Sequence, residues 1–373
     1  MGDLSWRFGK KEREYVEEVL SSGFASSTSG TMNSRLEEEF AKSHGKNFAI
    51  TFNSGTTTLH ASLWALGVGY GDEVLVTPLT VISCMNAIVY CNAIPVFVDV
   101  DPDTFLMCPK DLESKITRKS KAIMPVHLYG QMCNMTEIMR IAEKYSLAVL
   151  EDCAQCYSAK HKNQISGTIG DIGSWSFENS KHISCGDGGI VTLDDEKIAD
   201  YLRKLSTQGF RNATAKSGKI RVSKDLFQNP SYTRHSHYGF MYRLPEIAAA
   251  VALAQVEKME TFVSRRQKMG RLYNEVVELD GKGIIKQQFL PFGDESAYWS
   301  FAAKIVDESI IWADFRKQHI ANGGDPIYAA WALLYNEDSV PEIQKLQTQM
   351  GLDPMECSQG ICPNAESIQP KLL

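Results

Sequence analysis

The sequence has no apolar run approaching the ~18 to 20 residues of a membrane span. Its opening residues, Met1-Gly2-Asp3-Leu4-Ser5-Trp6-Arg7, carry none of the apolar stretch of a secretory leader. No membrane association is expected, and the cytoplasm is the expected compartment. A basic tract is also missing. The 39 basic against 45 acidic side chains leave a net charge of -6, which gives no electrostatic reason to seek nucleic acid. Neither an internal repeat nor a low-complexity segment occurs, which excludes solenoids and disordered tails. Gly186-Asp187-Gly188-Gly189 is not the GxGxxG of a dinucleotide site, so nicotinamide chemistry has no support. Nine cysteines, an odd number, suit thiols in a reducing compartment better than a disulfide framework. Cys153-Ala154-Gln155-Cys156 has CxxC spacing without a second pair at zinc-ligand distance, and His235-Ser236-His237 has no acidic neighbours. No metal site is expected.

What is present is an alternation. At 373 residues with 43% hydrophobic side chains, the chain is long enough for roughly two domains and a sizeable core. Short β-rich runs at Asn47–Phe52, Asp72–Val76, Ile94–Val100, Lys121–His127, Leu147–Asp152, Gly173–Phe177 and Gly189–Leu193 are spaced by amphipathic segments such as Thr56–Leu66 and Met135–Tyr145. That rhythm predicts βαβ units and an α/β fold, with a mostly parallel central sheet flanked by helices. A polar stretch from Thr207 to His237 precedes a long helical pattern, Leu244–Leu279. The expected division is a large domain over residues 1–250 and a smaller C-terminal α+β domain over residues 251–373.

Ligands of such sheets collect beyond the carboxyl ends of the strands. Asn53-Ser54-Gly55-Thr56-Thr57-Thr58 closes one strand and opens a helix. Its amides and hydroxyls could hold a phosphate, or form an ordinary helix cap. Asp152 follows the apolar run Leu147-Ala148-Val149-Leu150, where a carboxylate needs a partner. A pyridinium N–H would serve, as would a helix cap or an internal ion pair. Lys181 stands between the strand ending at Phe177 and the Gly186-Asp187-Gly188-Gly189 turn. A lone lysine is a solvated charge by default; the ordered set of Asp152, Gln155, Ser176 and Lys181 instead suggests a Schiff-base amine with pyridoxal phosphate.

Taken together, these motifs resemble the DegT family of pyridoxal-phosphate-dependent sugar aminotransferases, within the aspartate aminotransferase superfamily of fold type I. The pieces that carry the resemblance are Asn53-Ser54-Gly55-Thr56, Gly71-Asp72-Glu73-Val74, Pro95 to Asp101, Pro125 to Gln131, Glu151 to Gln155 and Ser176 to Gly189. The resemblance implies that Lys181 forms the Schiff base and shuttles the proton, and that Asp152 pairs with the ring nitrogen. It places Gln155 by the ring hydroxyl and gives Gly55, Thr56 and Ser176 the phosphate. It further implies a homodimer with active sites at the subunit interface. L-glutamate would be the amino donor, and a keto group on a nucleotide-linked deoxysugar the acceptor. Two alternatives stand beside that acceptor: a non-nucleotide cyclic ketone such as a cyclitol, and a pyridoxal-phosphate-fold sensor without turnover.

The chain departs from the family pattern at three places. Val81 stands where an aromatic ring often covers the cofactor. Met241, in Gly239-Phe240-Met241-Tyr242-Arg243, replaces the usual asparagine or other polar residue. The segment Gly323-Gly324-Asp325-Pro326-Ile327-Tyr328 stands where a His-Tyr-x-Pro-like stretch is expected. The ending Gln369-Pro370-Lys371-Leu372-Leu373 falls about where relatives continue into a loop and a last helix, so a shortened or differently built C-terminus is expected.

Overall fold

The computed structural model describes residues 6–281 and 283–373. The seven apolar runs read as strands all pair in one sheet. In chain order they are β1 (Phe48–Phe52), β2 (Glu73–Val76), β3 (Ile94–Phe97), β4 (Ser120–Met124) and β5 (Ala148–Asp152), then, after a minor hairpin of β6 (Lys160–His161) and β7 (Gln164–Ile165), β8 (Ile172–Ser176) and β9 (Gly189–Leu193). The sheet order is β1-β9-β8-β5-β4-β2-β3. β9 runs antiparallel to both its neighbours, and the other pairs are parallel. Parallel neighbours need crossovers, and helices Ser83–Tyr90, Pro109–Ser114 and Met135–Tyr145 provide three of them. The α/β fold is therefore as expected. Every residue of β8 and β9 is buried, as in strands covered on both faces.

The chain groups into two compact units. One comprises the described residues up to Gly67, Leu150–Ala154 and Gly167–Phe262. Its core is built on helix Met32–His44, which buries Leu36, Phe40 and His44, and on the Trp175 ring, 5.1 Å from that of Phe40. Helix Glu246–Val256, a run of alanine and branched residues, packs on both N-terminal helices of the same unit. The other unit comprises Val68–Val149, Gln155–Ser166 and Val263–Leu373. It adds an antiparallel pair, β10 (Ile285–Gln287) with β11 (Ala303–Ile305), and helices Trp312–Ala321, Val340–Gln349 and Pro363–Ile368.

Most boundaries agree with the sequence reading to within one residue, and three differ by more, each for a visible reason. β4 stops at Met124 because Pro125 has no N–H for the ladder. β3 stops at Phe97, two residues before Asp99, whose carboxylate accepts from Asn364 N and Ala365 N at 2.9 Å each and so caps the last helix. The pattern Leu244–Leu279 is two helices, Glu246–Val256 and Met259–Asp280, rather than one. At the break Glu257 meets Tyr15 and Lys11, while the Lys258 ammonium pairs with Glu12. Among the described residues no helix is long and apolar enough to cross a membrane.

Candidate active site

Strand register brings two distant segments together. Gly189 of β9 lies opposite Phe52 of β1 on one side and Ser176 of β8 on the other, so both chains leave the sheet at the same edge. After β1, Ser54 caps helix Gly55–Ala65: its Oγ accepts from Thr57 N at 3.2 Å. Gly55 then passes so close to β8 that a Cβ on it would sit 2.7 Å from Ser176 Cβ and 3.0 Å from Ser176 Oγ. Gly189 is equally constrained, since a Cβ there would come within 2.7 Å of the Ser54 carbonyl oxygen. Thr58 Oγ1 and Ser174 Oγ, 2.7 Å apart, join the helix to β8 from below. Three residues expected to hold a phosphate, Gly55, Thr56 and Ser176, thus gather at the first turn of a helix, where backbone N–H groups and the helix dipole favour an anion.

Asp152 is the last residue of β5, opposite Ser174 and 3% exposed. Its Oδ1 accepts from Ala154 N at 2.9 Å, which fixes the carboxylate's direction. Gln155 is equally buried; its Oε1 accepts from Tyr129 N at 2.8 Å, a residue held in the left-handed region at φ 62°. The side-chain amide nitrogen of Gln155 remains the end able to donate elsewhere.

Lys181 lies in the turn after β8 and is half-buried. Its backbone N–H donates to the Glu178 carbonyl at 3.0 Å. Burial disfavours the charge on Glu178, but donation from Ser180 N and Oγ and the positive charge of Lys181 outweigh it, and the carboxyl is held below its ordinary value. Arg7 clamps the same turn from the N-terminal segment. Its guanidinium donates to the carbonyls of Asn179 and Lys181, both at 2.8 Å, while Gln255 Nε2 donates to the Arg7 carbonyl at 2.7 Å. The sequence reading missed Arg7, and no local pattern could reveal a partner more than 170 residues away.

The remaining departures are placed as follows. Val81 is half-buried just before helix Ser83–Tyr90. Met241, 53% exposed, bridges Thr207, and the neighbouring Tyr242 carbonyl accepts from Asn53 N at 2.8 Å, beside the Ser54-Gly55-Thr56 turn. Two residues on, burial lowers the Arg243 guanidinium below its usual value, and no carboxylate pairs with it among the described residues. Tyr328 is 82% exposed in the unusual segment.

The profile of the DegT/DnrJ/EryC1/StrS aminotransferase family matches residues 7–324. The chain is similar to the GDP-perosamine synthase of Escherichia coli O157:H7, with 40% identity over 263 residues, 70% of this chain and 67% of that protein. It is also similar to the GDP-perosamine synthase of Caulobacter vibrioides, with 36% identity over 299 residues, 80% of this chain and 76% of that protein. Among solved structures, an aminotransferase from Psychrobacter cryohalolentis superposes with a TM-score of 0.85 at 27% identity, covering 98% of this chain and 91% of its own.

Proposed function

The chain belongs to the DegT/DnrJ/EryC1/StrS aminotransferase family, and on that premise we propose that it moves an amino group from L-glutamate to the keto group of a GDP-linked deoxysugar, using pyridoxal phosphate in a homodimer. One observation in the structure carries the reading. The lysine turn after β8, the buried carboxylate that ends β5 and a cradle after β1 that any Cβ at residue 55 would fill all lie at the carboxyl ends of strands of one sheet. That set suits a phosphorylated pyridine aldehyde. The similarity to two GDP-perosamine synthases points to the acceptor class.

Each residue then has a task. Gly55, Thr56 and Ser176 would seat the phosphate at the positive end of helix Gly55–Ala65. The Asp152 carboxylate, oriented by Ala154 N, would keep the pyridine nitrogen protonated, because a buried anion favours a cation beside it. Gln155 would present its side-chain N–H to the ring hydroxyl. When bound, the cofactor supplies an electron sink for the pair left at the substrate carbon. The Lys181 amine would hold the cofactor and take up the proton from the donor's α-carbon, with its turn fixed by Arg7 and Glu178. Arg243 would offer the donor's carboxylate a guanidinium with no competing ion pair among the described residues. The active sites would lie at the interface of the two subunits.

The test uses the full chain loaded with pyridoxal phosphate. Adding L-glutamate should shift its near-visible absorbance, and a GDP-linked ketosugar should then restore the spectrum and yield an aminosugar by mass. Borohydride should trap the cofactor on the Lys181 peptide. Lys181→Ala should abolish that adduct and lower turnover by ~10³-fold or more. A spectrum indifferent to every amine donor would instead make the protein a sensor, and turnover of a cyclitol ketone in preference to GDP sugars would move the acceptor class.

A further inference from the structure

The turn that carries Lys181 is tied down from a distant part of the chain. Its own bonds are local: Lys181 N donates to the Glu178 carbonyl at 3.0 Å, and Cys185 N and Ser184 Oγ both donate to the Phe177 carbonyl at 3.1 Å. None of these uses the carbonyls of Asn179 and Lys181. Both accept instead from one nitrogen, Arg7 Nη2, at 2.8 Å each, so a single side chain fixes the peptide planes that follow Asn179 and Lys181. Arg7 is itself held by a buried anchor. Gln255, fully buried, donates from Nε2 to the Arg7 carbonyl at 2.7 Å and to Glu12 Oε1 at 2.6 Å. Lys258 Nζ donates to the same Arg7 carbonyl at 3.2 Å and pairs with Glu12, which is 5% exposed and whose Oε2 accepts from Gly9 N at 2.9 Å. Pulling any member out of this set would leave the others buried without a partner, so the anchor resists undocking.

Resting on the Schiff-base reading above, we infer that Arg7 is a positioning residue for Lys181, and that docking of the N-terminal segment and attachment of pyridoxal phosphate favour one another. An amine on an untied turn samples several directions, and it must be aimed before it can react. Arg7 removes that freedom through the backbone, without touching the reacting atoms. A residue that served only stability could find acceptors anywhere on the surface; Arg7 takes both of its acceptors from the three-residue span that ends in Lys181. The coupling is one free energy, so the cofactor must hold the segment down by the same factor by which the segment tightens the cofactor.

The experiment follows amide hydrogen exchange over residues 7–21 and 177–185 in the full chain, with and without pyridoxal phosphate, beside the affinity for that cofactor. Arg7→Met keeps most of the apolar stem and loses the donors. In the cofactor-free protein it should speed exchange at Lys181 N and Cys185 N by about tenfold. It should weaken pyridoxal phosphate by about tenfold and lower kcat by ~10- to 100-fold, with KM for L-glutamate within about twofold of wild type. Arg7→Lys should recover most of each loss, because one nitrogen serves both carbonyls. Lys258→Met should show a smaller loss, and the double variant Arg7→Met/Lys258→Met should lose no more than Arg7→Met alone, since the anchor acts through Arg7. Arg13→Met, exposed on the same N-terminal helix, should change nothing. Loading wild type with the cofactor should slow exchange over residues 7–21, and loading Arg7→Met should not. Turn exchange and cofactor affinity within about twofold of wild type in Arg7→Met overturn the inference. So does Arg7→Lys behaving like Arg7→Met, or exchange that rises equally throughout the chain, which would mark lost packing or lost stability. If wild-type protein takes no pyridoxal phosphate, the Schiff-base reading fails, and exchange at Lys181 N still decides whether Arg7 positions the turn.

Discussion

The turns leaving β1 and β8 and the excursion over residues 211–237 belong to the same compact unit, yet they are built on opposite terms. In the turns, Gly55, Ser176 and Gly189 touch so closely that a methyl group would not fit, and the hydroxyls bond to neighbours within the cluster. In the excursion every residue from Ser223 to Ser231 is exposed, and the only helix is the five-residue Lys224–Gln228. Groups that handle protons and a phosphate must be held in place before the reaction starts. Dense packing thus suits the proposed cofactor turns, while an open surface segment is the kind that is free to differ between relatives of one fold.

The largest effect that could sharpen this contrast comes from acid. His44 is fully buried between Phe40, stacked at 4.3 Å, and Trp175 at 4.8 Å, under the strand that carries Ser176. Its Nδ1 donates to the Phe40 carbonyl at 3.0 Å, and its Nε2 meets no acceptor or donor. Burial lowers its pKa from 6.5 to about 4. A folded-state pKa below the unfolded one means that unfolding takes up a proton between those values. Stability is therefore full above about pH 6.5, declines as pH falls, and is down by about 3 kcal/mol near pH 4. Chemical denaturation between pH 7 and 4.5 should show wild type losing more stability than His44→Gln, with the difference confined to that window. Parallel slopes for the two proteins would mean His44 is not the buried group that acid attacks.

The next effect concerns the cradle itself. Gly55→Ala should destabilise the protein by about 1 to 3 kcal/mol, the usual result of forcing a methyl into a packed site, and should weaken pyridoxal phosphate retention. Adding Ser176→Gly removes the side-chain atoms nearest the new methyl. The double variant should recover most of the lost stability but not the retention, because Ser176 is also a phosphate donor in the proposed site. Denaturation midpoints and cofactor titration separate the two outcomes. A Gly55→Ala protein as stable as wild type would mean that the turn has slack, and the contrast with the excursion would lose its basis.

The two regions also differ in how much of them could be read without coordinates. The strands were legible because most are short apolar runs closed by polar or turn-forming residues such as Asn53, Pro125, Asp152 and Asp194. Gly55, Thr56 and Ser176 could be named because each sits at a strand end, where ligands collect in such sheets. That Gly55 and Ser176 touch depends on β9 lying between β1 and β8, an order no local pattern states. Arg7 escaped notice because its carbonyl partners are backbone atoms, which any sequence supplies. The cavity of the excursion, lined by Arg221, Lys224 and Arg234, was read only as part of a polar loop, since its charges are scattered over the segment and become a cluster only when the chain folds back. The helix expected over Leu244–Leu279 breaks because Glu257 and Lys258 are drawn to Lys11, Tyr15 and Glu12, a tertiary preference that outweighs helical periodicity.

The smallest expected effect tests the open side of the comparison. Leu226 and Tyr238 are 38% and 68% exposed, and large apolar side chains on a surface invite replacement by serine if packing holds them to nothing. Leu226→Ser should change unfolding free energy by no more than about 0.5 kcal/mol, the range of ordinary surface substitutions, whereas Tyr238→Ser, just past the excursion, should cost about 0.5 to 1.5 kcal/mol through its lost ring pairs. Tyr238 is the more demanding case, because its ring stacks on Trp64 with centroids 5.8 Å apart and meets Phe240 edge-on at 5.3 Å. A loss well above that range for Leu226→Ser would mean the excursion is held as tightly as the turns. A loss confined to Tyr238→Ser would place the border between the two regions at Tyr238, where the chain rejoins the aromatic cluster of Trp64, Phe240 and Tyr242.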